Sequence, residues 1–357
     1  LPLRYLLILL LFPVAAGAQV LGGKNTYAFL DLPASPQITA LGGVNVSRQG
    51  NDLSLALLNP ALLRPSMHTH LQVNYAGYFA GIRYSHVAFA FHHAALATTF
   101  ATSLQFTGYG QMTHTDAAGN VLGTFSPSDF VWQVNASRRY LEKWYYGVGL
   151  KYIHSRYLTY RSSGLAADVG IAYQDTAQGW QAGLVARNMG GQLSAYAATE
   201  KEPLPFDLQV GVSKRLQHLP LQLSATLHHV YQFDIRYADP ALEENVVIDN
   251  GDTVRARGGA IDNIFRHFVL AAQFDIGRYV ELTAAYNHLR RRELAMLNRQ
   301  GLSGFSLGVG VTVSKLQLRY ARAWYQQATA MNHLGINLPL NQWMGLGKFG
   351  DRIGWQP

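Results

Sequence analysis

The chain has 357 residues, 48% hydrophobic, 12% aromatic and only 14% charged, whereas a soluble domain carries about 25% charged residues. Mean hydropathy is −0.01, and beyond residue 18 no stretch reaches the roughly 18 apolar residues of a spanning helix. These values exclude a helical membrane bundle, and the apolar content excludes a disordered chain. A glycine- and tyrosine-rich all-β protein remains, soluble or embedded in an outer membrane. Without cysteine, neither disulfides nor thiolate metal sites can form. The formal charge of +8 comes without a dense basic patch interleaved with aromatics, so nucleic acid is not an expected partner. The longest basic run, Arg290-Arg291-Arg292, reads as a solvated strand end.

In chain order, Arg4, the apolar run Tyr5–Phe12, Pro13 and Ala16-Gly17-Ala18 have the form of a secretory signal peptide over residues 1–18. Cleavage after Ala18 leaves Gln19 first, so no lipoprotein anchor is expected. Residues 19–67 do not alternate. Leu41-Gly42-Gly43, Asp52 and Asn59-Pro60-Ala61 mark this stretch, and Pro60 stops a short helix over Asp52–Leu58.

From residue 68 the pattern has period two. Phe305, Leu307, Val309, Val311 and Val313 share one face, while Ser306, Gly308, Gly310 and Thr312 share the other. The same alternation recurs over 165–174, 221–228 and 280–287. Fourteen strands are predicted: 68–79, 83–92, 96–110, 129–140, 145–157, 164–174, 180–190, 205–216, 219–231, 265–275, 279–290, 304–314, 316–326 and 331–340. Most reach the roughly 9–11 residues of a bilayer-crossing strand, beyond the usual 5–6 of soluble sheets. Tyr78, Trp132, Tyr140, Trp144, Tyr145, Tyr146, Trp180, Tyr279 and Trp324 fall near strand ends, where an interfacial aromatic girdle lies. After the third strand, long gaps (111–128, 191–204, 232–264, 291–303, 327–330, and a shorter one at 158–163) alternate with tight turns. That parity is expected of a transmembrane antiparallel β-barrel with short periplasmic turns and longer outer loops. The first hairpin, with a tight turn at Ala80–Ile82, departs from it. Fourteen strands enclose more space than their own side chains fill, so residues 19–67 are expected as a plug inside a barrel over 68–340, followed by a tail at 341–357.

No catalytic constellation emerges. His68 and His70 share a face if strand-paired but lack a third ligand. His92-His93 and His228-His229 would point to opposite faces. No Gly-x-Ser-x-Gly elbow occurs, and the glycines of Gly147-Val148-Gly149 and Gly308-Val309-Gly310 read as lumen-side packing against the plug. Asp239, Glu243, Glu244, Asp249 and Asp252 share one loop without Ca²⁺-ligand spacing. No metal, cofactor or enzymatic activity is expected.

The runs Phe29-Leu30-Asp31-Leu32-Pro33-Ala34-Ser35 and Ala40-Leu41-Gly42-Gly43-Val44-Asn45-Val46-Ser47, then Asp52 and Asn59-Pro60-Ala61-Leu62-Leu63, resemble the PorV/PorQ family of the type IX secretion system, nearest its PorQ branch. Tyr109-Gly110, Asp116, Gly119, Gly123-Thr124-Phe125-Ser126 and Asp129 extend the resemblance over about residues 26–340. It implies a fourteen-stranded barrel of the fatty-acid-transporter type with an N-terminal plug, in the outer membrane of a Bacteroidota-type bacterium. It further implies a place in the surface attachment complex, anchoring a PorZ-like protein beside the sortase PorU and PorV, near lipopolysaccharide. The long loop with Arg236, Asp239, Glu243, Glu244, Arg255 and Arg257 is the expected partner-binding surface, since mixed rim charge favours specific protein contact. The alternative is a transporter of hydrophobic small molecules across the outer membrane, which rests on fold analogy.

Overall fold

The computed structural model describes residues 25–197, 201–235, 247–249, 252–254, 260–294, 301–313, 316–325 and 330–341. The segment expected as a signal peptide, residues 1–18, and positions 342–357 of the expected C-terminal tail lie outside them.

Fourteen antiparallel strands close into a barrel. They are β1 (His70–Gly77), β2 (Arg83–His93), β3 (Thr98–Gly108), β4 (Ser128–Tyr140), β5 (Trp144–Tyr157), β6 (Tyr160–Asp175) and β7 (Trp180–Ser194), then β8 (Asp207–Arg215), β9 (Leu221–Leu227), β10 (Phe268–Ile276), β11 (Val280–Asn287), β12 (Phe305–Val313), β13 (Leu316–Trp324) and β14 (Ala330–Pro339). Each pairs with its sequence neighbours, and β14 returns to β1 in a register running from His70 opposite Pro339 to Gly77 opposite Asn332. Closure leaves no unpaired edge, so every backbone polar group can be satisfied within lipid.

The two-residue period sets which side faces out. On β12, Phe305, Leu307 and Val313 are exposed on the outer wall while Ser306 is fully buried. On β6, Leu165, Val169 and Ile171 face outward and Ala166 and Asp168 inward. Trp132, Tyr140, Trp144, Tyr146, Trp180 and Tyr279 are outward-facing, but Tyr145 turns inward, where the Arg64 guanidinium stacks 3.5 Å from its ring centroid. Tyr78 packs against Tyr325 rather than joining a girdle.

Connections at one end are short (94–97, 141–143, 176–179, 216–220, 277–279), while the other end holds 109–127, 195–206, 228–267 and 288–304. Among the described residues, two tight links also occur at this long-loop end, 78–82 and 158–159. The second is shorter than the expected gap because β6 begins at Tyr160. A hairpin, Met112–Thr115 with Val121–Phe125, occupies the loop after β3. Several predicted strands are shorter than their patterns, most of all 219–231, which is observed as Leu221–Leu227. Positions 265–266, expected in a strand, belong instead to helix α3 (Ala260–Arg266), and 288–290 belong to α4 (His288–Leu294) after β11.

This corrects the reading of Arg290–Arg292 as a solvated strand end. Arg290 Nη2 donates to the Gly42 carbonyl (3.1 Å), Arg291 Nη1 to the Ser303 carbonyl (3.3 Å), and Arg292 pairs with Asp262 (3.0 Å). His68 precedes β1, so it shares no strand face with His70; its Nδ1 instead accepts the His92 N–H at 3.0 Å.

Candidate functional site in the barrel lumen

Residues 25–67 run along the inner wall. Near the long-loop end, the Thr26 N–H donates to the Pro203 carbonyl (3.0 Å), and Tyr27 hydrogen-bonds Ser162 on β6. Helix α1 (Pro36–Ala40) begins where Ser35 Oγ accepts the Ile38 N–H (3.2 Å), with Pro36 at the first turn. It packs on β12, β13 and β14. Gly42 and Gly43 end it at φ 88° and 93°, a left-handed geometry that favours glycine. Gly42 is also crowded, since a Cβ there would press on Val269. Its carbonyl accepts from Asn287 at the end of β11 and from Arg290 of α4.

The helix expected over Asp52–Leu58 is reduced to α2 (Leu55–Leu58). Asn59 Oδ1 caps the following turn by accepting the Ala61 N–H (3.0 Å), and its Nδ2 donates to the Val46 carbonyl (3.0 Å). Wall glycines let this backbone approach. A Cβ on Gly147 would strike Pro60 and Ala61, one on Gly183 the Val46 carbonyl, and one on Gly308 the Ala40 side chain. Of the residues singled out in this segment, Leu41, Asp52, Asn59, Pro60 and Ala61 are buried inside the barrel, as are the two glycines.

Toward the short-turn end, a charged network ties the segment to the wall. Glu281 on β11 receives Arg48 (Nη2–Oε2, 3.2 Å) and Arg319 from β13 (Nη1–Oε1, 2.7 Å). Arg319 Nε reaches Asp52 Oδ2 at 3.3 Å and its Nη1 donates to Gln37. Gln72 Nε2 and the Ser54 N–H both donate to Asp52 Oδ1 (2.9 and 3.0 Å). Two guanidinium groups and two carboxylates balance, which is the condition for keeping such charges buried. Between Pro36, Gln37, Glu281 and Arg319 the remaining cavity is about 10 Å³, room for one water at most.

A second polar knot sits where β6 and β7 slip register, between Ala167 and Val169. Asn188 takes φ 55° there, and its N–H donates to Asp168 Oδ1 (2.8 Å). Lys151 Nζ pairs with Asp168 Oδ2 and donates to Asn188 Oδ1, each at 2.7 Å. Asp168 is fully buried, so the bulge is sealed by this trio.

At the long-loop end, α3 and α4 are joined through Asp262, which accepts from Arg266 (3.0 Å) and His288 (3.0 Å). Burial acts to raise the Asp262 carboxyl, but the His288 and Arg266 hydrogen bonds outweigh it and hold the pKa below the ordinary value. The expected partner-binding residues Arg236, Asp239, Glu243, Glu244, Arg255 and Arg257 lie outside the described residues. Asp249 and Asp252 belong to a small hairpin, Val247–Asp249 with Asp252–Val254. His228 and His229 depart from the expected opposition. β9 ends at Leu227 and His229 takes φ 55°, so the two Nδ1 atoms come within 2.6 Å.

Arg48, Glu281 and Arg319 are lumen residues that the period-two pattern did not single out. The available signal was a glutamate on an otherwise small, neutral face of β11 and an arginine on β13.

No protein-family model matches this chain, and no curated protein matches it. Among solved structures it is similar to a deletion mutant of the TodX monoaromatic hydrocarbon channel, at 12% identity and a TM-score of 0.50 over 86% of this chain and 97% of that one. It is also similar to the CymD monoaromatic hydrocarbon channel (13% identity, TM-score 0.46, 85% and 96% covered) and to the KdgM porin (4%, 0.34, 75% and 98%). These neighbours are channels and porins, not enzymes. The fold shared with the TodX variant is the closed outer-membrane barrel.

Proposed function

We propose that the chain is a non-enzymatic outer-membrane barrel that passes hydrophobic small molecules, its inner segment serving as the gate. The observation that carries this reading is the fourteen-strand architecture shared over 97% of the TodX channel's length. Of the two roles suggested by the sequence, this likeness favours transport over secretion. The lumen is filled by residues 25–67, so passage requires that segment to shift. The test is uptake of a labelled monoaromatic hydrocarbon by a host lacking its own channel, with and without this chain in its outer membrane. Uptake should rise with the folded barrel; uptake at the background level, with the barrel shown to be folded in the membrane, refutes transport.

A second reading is supported by a different observation. The lumen wall is polar, with Gln133, Asn135, Ser213, Gln273 and Thr283 buried on it, and it is packed against the inner segment without a greasy tunnel among the described residues. That suits a static scaffold of the PorV/PorQ type, with partners such as a PorZ-like surface protein, PorU and PorV. A pull-down from the native outer membrane that recovers a surface protein, combined with absent uptake, would reverse the order of the two readings.

A further inference from the structure

Asp207 opens β8, and His228 and His229 follow β9 at the same rim of the barrel. One carboxylate oxygen and two imidazole nitrogens from these residues all lie within 4.8 Å of one another. We propose that they form a binding site for one divalent transition-metal ion of the zinc type. This inference is independent of the transport and scaffold readings.

The backbone builds the site. A strand continuing past Leu227 would send adjacent side chains to opposite faces. The left-handed φ of 55° at His229 breaks that rule and swings its ring back to the lumen side. His229 Nδ1 then stands 2.6 Å from His228 Nδ1 and 3.9 Å from Asp207 Oδ2. Donors bound at roughly 2.0–2.2 Å to a tetrahedral ion sit about 3.3 Å apart. The two nitrogens therefore part slightly and the carboxylate closes in, both within side-chain motion.

The surroundings already hold the donors in place, as the outer shell of a metal site does. The His229 N–H donates to Asp207 Oδ1 and Gln209 Nε2 to Asp207 Oδ2, each at 2.6 Å. His267 Nδ1 lies 2.8 Å from the His228 carbonyl, and the His228 N–H donates to the His267 carbonyl at 3.1 Å. His228 Nε2 is buried and has no hydrogen-bond partner, so metal binding through either ring nitrogen breaks no bond except the His228–His229 contact.

Two imidazoles and one carboxylate select a borderline cation such as Zn²⁺, Co²⁺ or Ni²⁺ over the all-oxygen preference of Mg²⁺ or Ca²⁺. The His229 side chain is 34% exposed, which opens the site toward the long-loop end and leaves a coordination position for water. A bound ion would pin the start of the 228–267 loop to the rim of β8.

The experiment uses the full chain without a histidine tag, refolded in detergent, with heat-modifiable gel migration confirming that each variant is folded. Titration with Co²⁺ should show visible d–d absorption saturating at one ion per barrel, and Zn²⁺ should displace it. His228→Gln and Asp207→Asn should each weaken binding by about tenfold or more, and Gln209→Leu by about tenfold through the lost outer contact. His218→Ala, in a short turn at the opposite end, should leave binding unchanged. Absence of saturable Co²⁺ binding by the folded wild-type chain overturns the proposal, as does binding that His228→Gln and Asp207→Asn leave intact.

Discussion

Replacing Glu281 by glutamine removes the one carboxylate that both Arg48 and Arg319 share, while keeping the side-chain volume. At the observed separations of 3.2 and 2.7 Å, the pairs have gross attractions of about 5 and about 6 kcal/mol in a medium of effective dielectric near 20. Arg48 keeps its hydrogen bond to Gln273, and Arg319 keeps Asp52. Those contacts, together with the residual 16% exposure of the Glu281 side chain, bring the net cost to about 3 kcal/mol, at the low end for breaking a buried pair. The loss falls on seating of the inner segment rather than on the strand ladder. It should therefore appear as local opening, with amide exchange at Leu57 and Asn59 faster by about a hundredfold. Both amides are hydrogen-bonded within the segment, to Ser54 and Leu55. Adding Arg48→Met to Glu281→Gln removes one of the two facing cations and should recover part of the protection. Exchange at these amides equal to wild type in the single variant would refute the account, as would a double variant no better protected than the single.

Two further outcomes follow from close packing and from charge. Gly183→Ala puts a methyl group on the Val46 carbonyl, whereas Gly191→Ala on the same strand meets nothing within 4 Å. The first should cost about 1–3 kcal/mol of overpacking and speed maleimide labelling of a Ser47→Cys reporter in this cysteine-free chain, and the second should not; equal labelling rates would show that the contact carries no strain. Asp262, with its pKa held down in the folded state, contributes stability that is present above the unfolded value of about 4 and is lost as pH falls through the folded value. Pepsin cleavage within 260–294 should rise on acidification across that window and lose the dependence in Asp262→Asn, while a pH dependence unchanged by that substitution would contradict the assignment.

The strands were legible because lipid on one side and a polar interior on the other impose an uninterrupted alternation. Phe305 through Val313 and Leu165 through Gln174 show it residue by residue. The ends were less legible. Positions 265–266 and 288–290 were read into the neighbouring strands, yet they belong to helices held by Asp262, a contact between residues 26 positions apart in the case of His288. The lumen network was hidden for the same reason at longer range. Arg48 meets Glu281 across 233 positions, and nothing local marks either as a partner of the other. The His228–His229 pair escaped because one left-handed residue reverses the side-chain alternation, and no sequence pattern around His229 demands that geometry.

The contacts of the inner segment at the barrel seam bear on assembly. β1 and β14 are the first and last strands, and their pairing must close a loop of some two hundred and sixty residues, an entropic cost that local hairpins avoid. The segment just ahead of β1 touches both sides of that seam. Asp52 and Ser54 hold Gln72 on β1, while the Asn51 carbonyl accepts from Asn337 and Thr39 meets His333 on β14. Lying ahead of β1 in the chain, this stretch is tied to the first strand through Gln72 and presents the Asn51 carbonyl to the last one. It thus bridges the two strands that close the ring, and the order of synthesis places this bridge in the chain before either of them.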